Sequence, residues 1–172
     1  MKDFDFSQLE TILDVKFKDK DLLKQSLTHR SYINEHPKCG WDHNERLEFL
    51  GDAVLELAVT EYLFEKYLNP EGELTNWRAA LVNAKMCSAI ANEMDLEEFL
   101  FLSRGESKDA GTKAREYILA NVLEALIGAI YLDQGWEASR EFITKWVISK
   151  LPKVLDADAL NLLSESPQHA ED

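Results

Sequence analysis

The fold is decided by residues 43–64, HNERLEFLGDAVLELAVTEYLF, where acidic residues interrupt an otherwise apolar stretch. The apolar residues recur every three or four positions, which predicts a long α-helix from Asn44 to about Leu68. Four acidic residues share one face of this helix, at i, i+3, i+7 and i+11: Glu45, Glu48, Asp52 and Glu56. Like charges at i,i+4 repel by about 0.2–0.5 kcal/mol per pair. The stripe is therefore either a solvated face or a site that attracts cations.

A second segment, residues 117–132, reads YILANVLEALIGAIYL and is more apolar still. It predicts a helix buried almost all round, with Glu124 as its one charge and Asn121 as its one amide. An unpaired carboxylate is costly in such surroundings, so Glu124 should be protonated or matched by a cation. Gly128 lies one turn beyond on the same face, and Gly51 occupies a comparable helix interior, where glycine permits close approach.

Two explanations account for Glu124. It can form an ion pair with a buried arginine such as Arg46 or Arg78. Alternatively, Glu48 with Asp52 and Asn121 with Glu124 face each other from two helices and bind Mg²⁺, for which hydrolysis at phosphorus is the expected chemistry. A redox di-metal bundle needs Glu-x-x-His pairs, and none of the four histidines follows a Glu at that spacing.

The rest of the pattern predicts an all-α fold, since no segment alternates apolar and polar residues for more than a few positions. Ser7 and Glu10 have capping-box spacing and start a first helix, and a single helix is predicted from Thr75 to Met94. We expect one domain over residues 1–152 and a disordered acidic, polar tail over residues 153–172.

Composition limits the setting in which this chain works. It has 172 residues, of which 45% are hydrophobic, a net charge of −13 and two widely separated cysteines, Cys39 and Cys87. These features predict a folded cytoplasmic protein without disulfides, and no segment is long and apolar enough to indicate a leader or a membrane span. The acidic balance argues against a general nucleic-acid-coating protein and is compatible with a carboxylate site for divalent cations.

Four segments together resemble the catalytic domain of the ribonuclease III family: FKDKDLLKQSLTHRSY, NERLEFLGDAVL, EGELTNWRAALVNAK and REYILANVLEALIGAIYLDQG. The resemblance covers about Phe6 to Leu151. It implies a homodimeric, all-helical hydrolase that cleaves double-stranded RNA with Mg²⁺, or with Mn²⁺ in its place. The products would carry 5′-phosphate and 3′-hydroxyl ends with short 3′ overhangs, and the substrates would be ribosomal and messenger RNA precursors.

The resemblance also assigns roles by position. Glu48, Asp52 and Glu124 become acidic residues of the metal site, and Asp52 and Glu124 the pair tied most directly to hydrolysis. Glu45 matches a position of substrate or interface contacts. Phe49 matches one that packs into the partner subunit, although helical spacing alone would make it an ordinary core aromatic.

Two departures from the family pattern matter. Asn121 stands where the family has Asp; it is still a possible metal ligand, but one negative charge is lost and metal affinity should fall. The alternative is a catalytically impaired or non-catalytic RNA-binding member of the family. The family's double-stranded-RNA-binding domain does not follow in this sequence, so RNA contacts should come from the catalytic domain, with Lys108, Lys113 and Arg115 as candidate phosphate ligands.

Overall fold

The computed structural model of the chain describes residues 6–108 and 110–165, and side chains up to residue 160. Its α-helices are α1 (Phe6–Leu13), α2 (Lys20–Ser26), α3 (Arg30–Glu35), α4 (Glu45–Lys66), α5 (Glu71–Val82), α6 (Ala84–Glu93), α7 (Lys113–Gln134), α8 (Trp136–Trp146) and α9 (Leu151–Glu165). Within these residues the β-structure consists of one isolated bridge, between Thr28 and Phe101. The predicted all-α fold is confirmed.

Helix α7 forms the centre of the molecule and packs against α2, α4, α6 and α8. From Ile118 to Ile130 every residue is buried except Asn121 and Glu124, which are half-buried. The helix is therefore apolar all round except where these two polar side chains emerge, as its sequence predicts. None of the helices in the described part of the chain is long and apolar enough to cross a bilayer.

Two glycines bring α4 and α7 into backbone contact. A Cβ atom added at Gly51 would lie 1.7 Å from the carbonyl oxygen of Glu124, and one added at Gly128 would lie 2.3 Å from the carbonyl oxygen of Leu47. Ordinary helix pairs are separated by 8–10 Å because side chains stand between them, so this crossing requires residues without side chains. The crossing thereby fixes the position of the predicted site residues on α4 relative to those on α7.

The single helix predicted from Thr75 to Met94 is in fact two helices. Asn83 has extended backbone angles (φ −73°, ψ 158°), and its side chain accepts a hydrogen bond from the Met86 N–H to cap α6. Because asparagine competes with the helical backbone for such bonds, it ends α5 and begins α6. Helix α5 also begins earlier than predicted, directly after Pro70.

The N-terminal helix forms, but Glu10 acts differently from the capping-box prediction. Its buried carboxylate accepts a hydrogen bond from the Phe17 N–H (2.7 Å) and contacts the Lys20 ammonium. Burial opposes ionisation here, yet the bonds from Lys20 and Phe17 lower the pKa of Glu10. Glu10 thus fastens the segment after α1 to the body of the protein.

The expectation of a disordered tail from residue 153 is wrong for residues 153–165, which lie in α9. Val154 and Leu155 pack against the core, and the Asp158 carboxylate accepts a hydrogen bond from the Trp77 indole N–H (3.1 Å). These contacts hold α9 against α5. Residues 166–172 of the expected tail lie outside the described residues.

Candidate active site

The predicted acidic residues meet where α4 crosses α7. Helix α4 carries Glu48 and Asp52, and α7 carries Asn121 and Glu124. The backbone of Glu124 lies against Gly51, the residue directly before Asp52. The contact through the two glycines therefore holds the pair on α4 next to the pair on α7.

The carboxylates of the site influence one another's charge. Burial, followed by the negative charges of Asp52 and Glu48, raises the pKa of Glu124 to about 7. Burial also raises the pKa of Glu48, with further contributions from Glu45 and Asp52. Burial and neighbouring negative charge thus raise the pKa of both Glu48 and Glu124, an arrangement typical of functional sites.

No cationic side chain neutralises this group in the part of the chain that the structure describes. None of the three carboxylates, Glu48, Asp52 and Glu124, forms an ion pair among the described residues. Arg78 instead donates to the Thr60 hydroxyl (3.0 Å), and Arg46 is exposed. The ion-pair explanation for Glu124 is therefore wrong in this structure, and the negative charge is left available to an external cation.

The carboxylates do not form a closed metal cage. Within residues 6–108 and 110–165, no three His, Cys, Asp or Glu side chains converge as ligands of one ion. Mg²⁺ rarely needs such a cage, since it keeps several waters and takes one or two carboxylates together with phosphate oxygens of a substrate. An open, uncompensated group of hard oxygen ligands fits a hydrated Mg²⁺ ion.

A buried thiol, that of Cys87 on α6, lies within electrostatic reach of the site and was not predicted from the sequence. Burial, followed by the charges of Glu124 and Asp52, raises its pKa to about 12. Its thiol donates to the Val82 carbonyl oxygen (3.7 Å) and stays protonated at neutral pH. Cys87 has no sequence pattern that would reveal this position.

Glu45 lies outside the central group and has partners of its own. Its exposed carboxylate lies 3.4 Å from the Arg30 guanidinium and 3.9 Å from His43 Nδ1. His29, close to this pair, accepts a hydrogen bond from the Ser31 N–H and caps α3. Sequence reasoning missed α3, because its six residues are too few for a periodic pattern to show.

The three residues predicted to contact RNA phosphates differ in their exposure to solvent. Lys108 and Lys113 are exposed, so they remain candidates. Arg115 is buried; its guanidinium binds the Glu97 carboxylate (2.6 Å) and the Glu106 carbonyl oxygen. The prediction that Arg115 contacts phosphate is wrong in this conformation, because the side chain is already engaged in holding the loop before α7.

Phe49 points away from the core. Its side chain is 84% exposed, so the alternative of an ordinary core aromatic is wrong. Phe64 and Leu68 are also exposed, at the other end of α4, where they line an open cavity of about 760 Å³ together with Leu74 and Arg78. Exposed apolar surfaces such as those at the two ends of α4 are typical of contacts with another molecule.

Comparison with known proteins is consistent across sequence and structure. Residues 19–151 match the family model described as Ribonuclease-III-like. Ribonuclease 3 of Oceanobacillus iheyensis is 44% identical over 162 residues, which cover 94% of this chain and 71% of that protein. Ribonuclease 3 of Bacillus cereus strain G9842 is 47% identical over 147 residues, covering 85% of this chain but only 60% of its own length.

A solved structure shares the fold. The nuclease domain of ribonuclease III from Campylobacter jejuni superposes with a TM-score of 0.76 at 44% identity, covering 86% of this chain and 99% of that one. That structure is described as flexible in a region involved in dimer formation. The region of that protein matched by this chain is its nuclease domain, and this chain spans about 60% of the length of several of the relatives.

Proposed function

Because the chain belongs to the ribonuclease III family, we propose that it is an endoribonuclease that hydrolyses both strands of double-stranded RNA with Mg²⁺. One observation carries the proposal: three mutually repelling carboxylates without a described counter-ion, at the crossing of α4 and α7. A bound divalent cation would neutralise the negative charge of this group. The proposed substrates are structured precursors of ribosomal and messenger RNA in the cytoplasm.

The proposed roles follow from the position of each side chain. Glu48, Asp52 and Glu124 would supply anionic oxygens and Asn121 an amide oxygen, which hold a hydrated ion directly or through its waters. Bound Mg²⁺ would activate water and stabilise the leaving oxygen, giving 5′-phosphate and 3′-hydroxyl ends with short 3′ overhangs. With a pKa of about 7 in the metal-free protein, Glu124 holds its proton part of the time and releases it when a cation binds.

Asn121 sets the expected metal requirement. An amide oxygen ligates Mg²⁺ without adding charge, so the site has one negative charge fewer than the family pattern. The consequence is a higher demand for Mg²⁺, or a preference for Mn²⁺. A second candidate function, a non-catalytic RNA-binding protein, rests on this same residue, but the intact Glu48, Asp52 and Glu124 favour catalysis.

A homodimer is part of the proposal. Phe49 and Phe64 lie at opposite ends of α4, about 22 Å apart at 1.5 Å per residue. If two α4 helices pair in antiparallel orientation, Phe49 of each copy reaches the exposed apolar cavity at the far end of the other. The pairing would bring two sites onto one face, as cleavage of both strands requires, with Lys108 and Lys113 as RNA phosphate ligands.

The test is cleavage of a long RNA duplex across titrations of Mg²⁺ and Mn²⁺, with product ends resolved on denaturing gels. We expect cleavage that needs millimolar metal, a lower requirement in Asn121→Asp, and loss of at least about 100-fold in Asp52→Asn and Glu124→Gln. Glu56→Gln is the matched control, since Glu56 continues the same stripe beyond the site. A wild-type protein that stays inert at every metal concentration while Asn121→Asp cuts would show a non-catalytic protein.

A further inference from the structure

A stack of rings lies at the surface, on α3 and on the segment that leads from it to α4. The ring of Tyr32 stacks with that of His36, at a centroid distance of 4.2 Å, and with that of Trp41, at 6.1 Å. Phe101 supports the stack edge-on, 5.3 Å from Tyr32 and 6.0 Å from Trp41. His36 is the exposed end of the stack.

The end ring is held in one orientation. His36 Nδ1 lies 3.0 Å from the Tyr32 carbonyl oxygen, which can only accept, so Nδ1 carries the proton. In the neutral ring Nε2 is then an acceptor. The ring therefore offers a fixed aromatic face and a hydrogen-bond acceptor.

An open cavity of about 460 Å³ adjoins this ring, lined by Tyr32, Glu35, His36, Pro37, Lys38 and Cys39. Small-ligand sites have volumes of about 300–1,000 Å³, so the space suffices for a nucleotide.

Two cationic side chains, Lys38 in the lining and Arg104 on a neighbouring loop, accompany the one acidic residue of the cavity. Lys38 and the side chain of Arg104 are exposed and form no ion pair in the described part of the chain. Glu35, the one acidic lining residue, accepts a hydrogen bond from the Arg104 N–H (3.1 Å), which brings the Arg104 loop to the cavity edge. Aromatic faces beside unpaired cations are the combination that binds single-stranded nucleic acid.

We infer that this cavity binds one unpaired nucleotide of an RNA. The base would stack on His36, backed by Tyr32, and the phosphate would lie between Lys38 and Arg104. The inference rests on the proposed function in that RNA is the ligand, but it concerns a surface separate from the carboxylates of α4 and α7. Its effect is a preference for duplexes that carry unpaired nucleotides beside the helix.

The experiment compares three versions of one fluorescent RNA duplex: blunt, extended by two unpaired nucleotides, and extended by two abasic nucleotides. Binding is measured by anisotropy without Mg²⁺, so that cleavage does not intervene. We expect the unpaired bases to raise the affinity about tenfold over the blunt duplex, which is the effect of one stacked base. The abasic extension should give little of this gain. His36→Ala should remove the gain and leave blunt-duplex affinity unchanged.

Further variants separate stacking from folding and charge. His36→Phe keeps an aromatic face and should keep the gain. Lys38→Ala should reduce the salt slope of binding to the extended duplex by about 0.7–0.9, whereas the exposed Lys85→Ala on α6 should leave the gain intact. Equal affinities of wild type for the blunt and extended duplexes overturn the inference, as does a gain that survives in His36→Ala.

The two proposals fail separately. A protein that cleaves duplexes but ignores unpaired bases keeps the proposed function and loses this inference. A protein that never cleaves but shows the base-dependent gain keeps the inference and loses the proposed nuclease activity.

Discussion

Gly51 and the carbonyl oxygen of Glu124 are in direct contact: a Cβ on Gly51 would lie 1.7 Å from that oxygen. The two residues belong to different helices, and each adjoins or contributes a carboxylate of the candidate site. Because the obstacle is backbone rather than a flexible side chain, no rotamer change could admit a methyl group. The spacing of the carboxylates is therefore set by the absence of a side chain at Gly51.

Gly51→Ala should push α7 away from α4 and separate Asp52 from Glu124. We expect a loss of activity of about 100-fold or more, since misplacement by about 1 Å can cost that much. Unfolding stability should fall by about 1–3 kcal/mol, as for other overpacked cores. The measurements are single-turnover cleavage and urea unfolding.

Gly72→Ala is the matched control, because a Cβ at Gly72 of α5 would meet nothing within 4 Å. It should keep full activity and gain up to about 1 kcal/mol of helix stability. If Gly51→Ala retained wild-type cleavage, the close crossing would not set the site.

The sequence was sufficient to predict what depends on periodicity. Long regular helices such as α4 and α7 leave a repeating pattern, and a lone Glu124 in an apolar helix indicates a site because burying charge is costly. The break at Asn83, the short α3 and the burial of Arg115 were beyond prediction. The first two depend on local side-chain caps, at Asn83 and His29, that leave no periodic pattern over so few residues. The burial of Arg115 depends on an ion pair with Glu97, on a segment whose position relative to α7 the sequence does not give.

The stability of the metal-free protein should fall as the pH rises from about 4.5 to 7. Glu124 has an ordinary pKa of 4.5 when unfolded and about 7 when folded, so the folded state holds the proton more tightly. Its contribution therefore favours folding at low pH and is lost between about pH 4.5 and 7. Allowing for solvent screening of a half-buried group, we expect a loss of about 1–2 kcal/mol.

Urea unfolding at pH 5.0 and 7.5 measures this loss, and Glu124→Gln should reduce it because glutamine does not titrate. Saturating Mg²⁺ at pH 7.5 should restore stability in the wild type by binding the folded state alone. A pH dependence identical in wild type and Glu124→Gln would assign the effect to other groups.

The loop before α7 should depend on Arg115. Arg115→Met removes the bonds to Glu97 and to the Glu106 carbonyl oxygen, and we expect a stability loss of about 1.5–3 kcal/mol. Backbone amides of residues 103–108 should exchange hydrogen faster as the loop loosens. Lys113→Met, two residues earlier and exposed, should change stability by less than about 0.5 kcal/mol. Unchanged exchange in Arg115→Met would mean that the loop is held by other contacts.

Phe49 should control self-association rather than folding. At 84% exposure the ring stabilises the monomer little, so Phe49→Asp should keep the helical circular dichroism spectrum and the monomer's unfolding midpoint. In the dimer the same change would place a carboxylate in the apolar cavity near Phe64 and Leu68, which should weaken association by about 100-fold or more. Sedimentation equilibrium measures the dissociation constant, with Leu132→Asp, an exposed leucine of α7, as the comparison. A Phe49→Asp protein that dimerises as tightly as the wild type would place the interface elsewhere, and one that is monomeric and still cuts both strands would separate cleavage from the dimer.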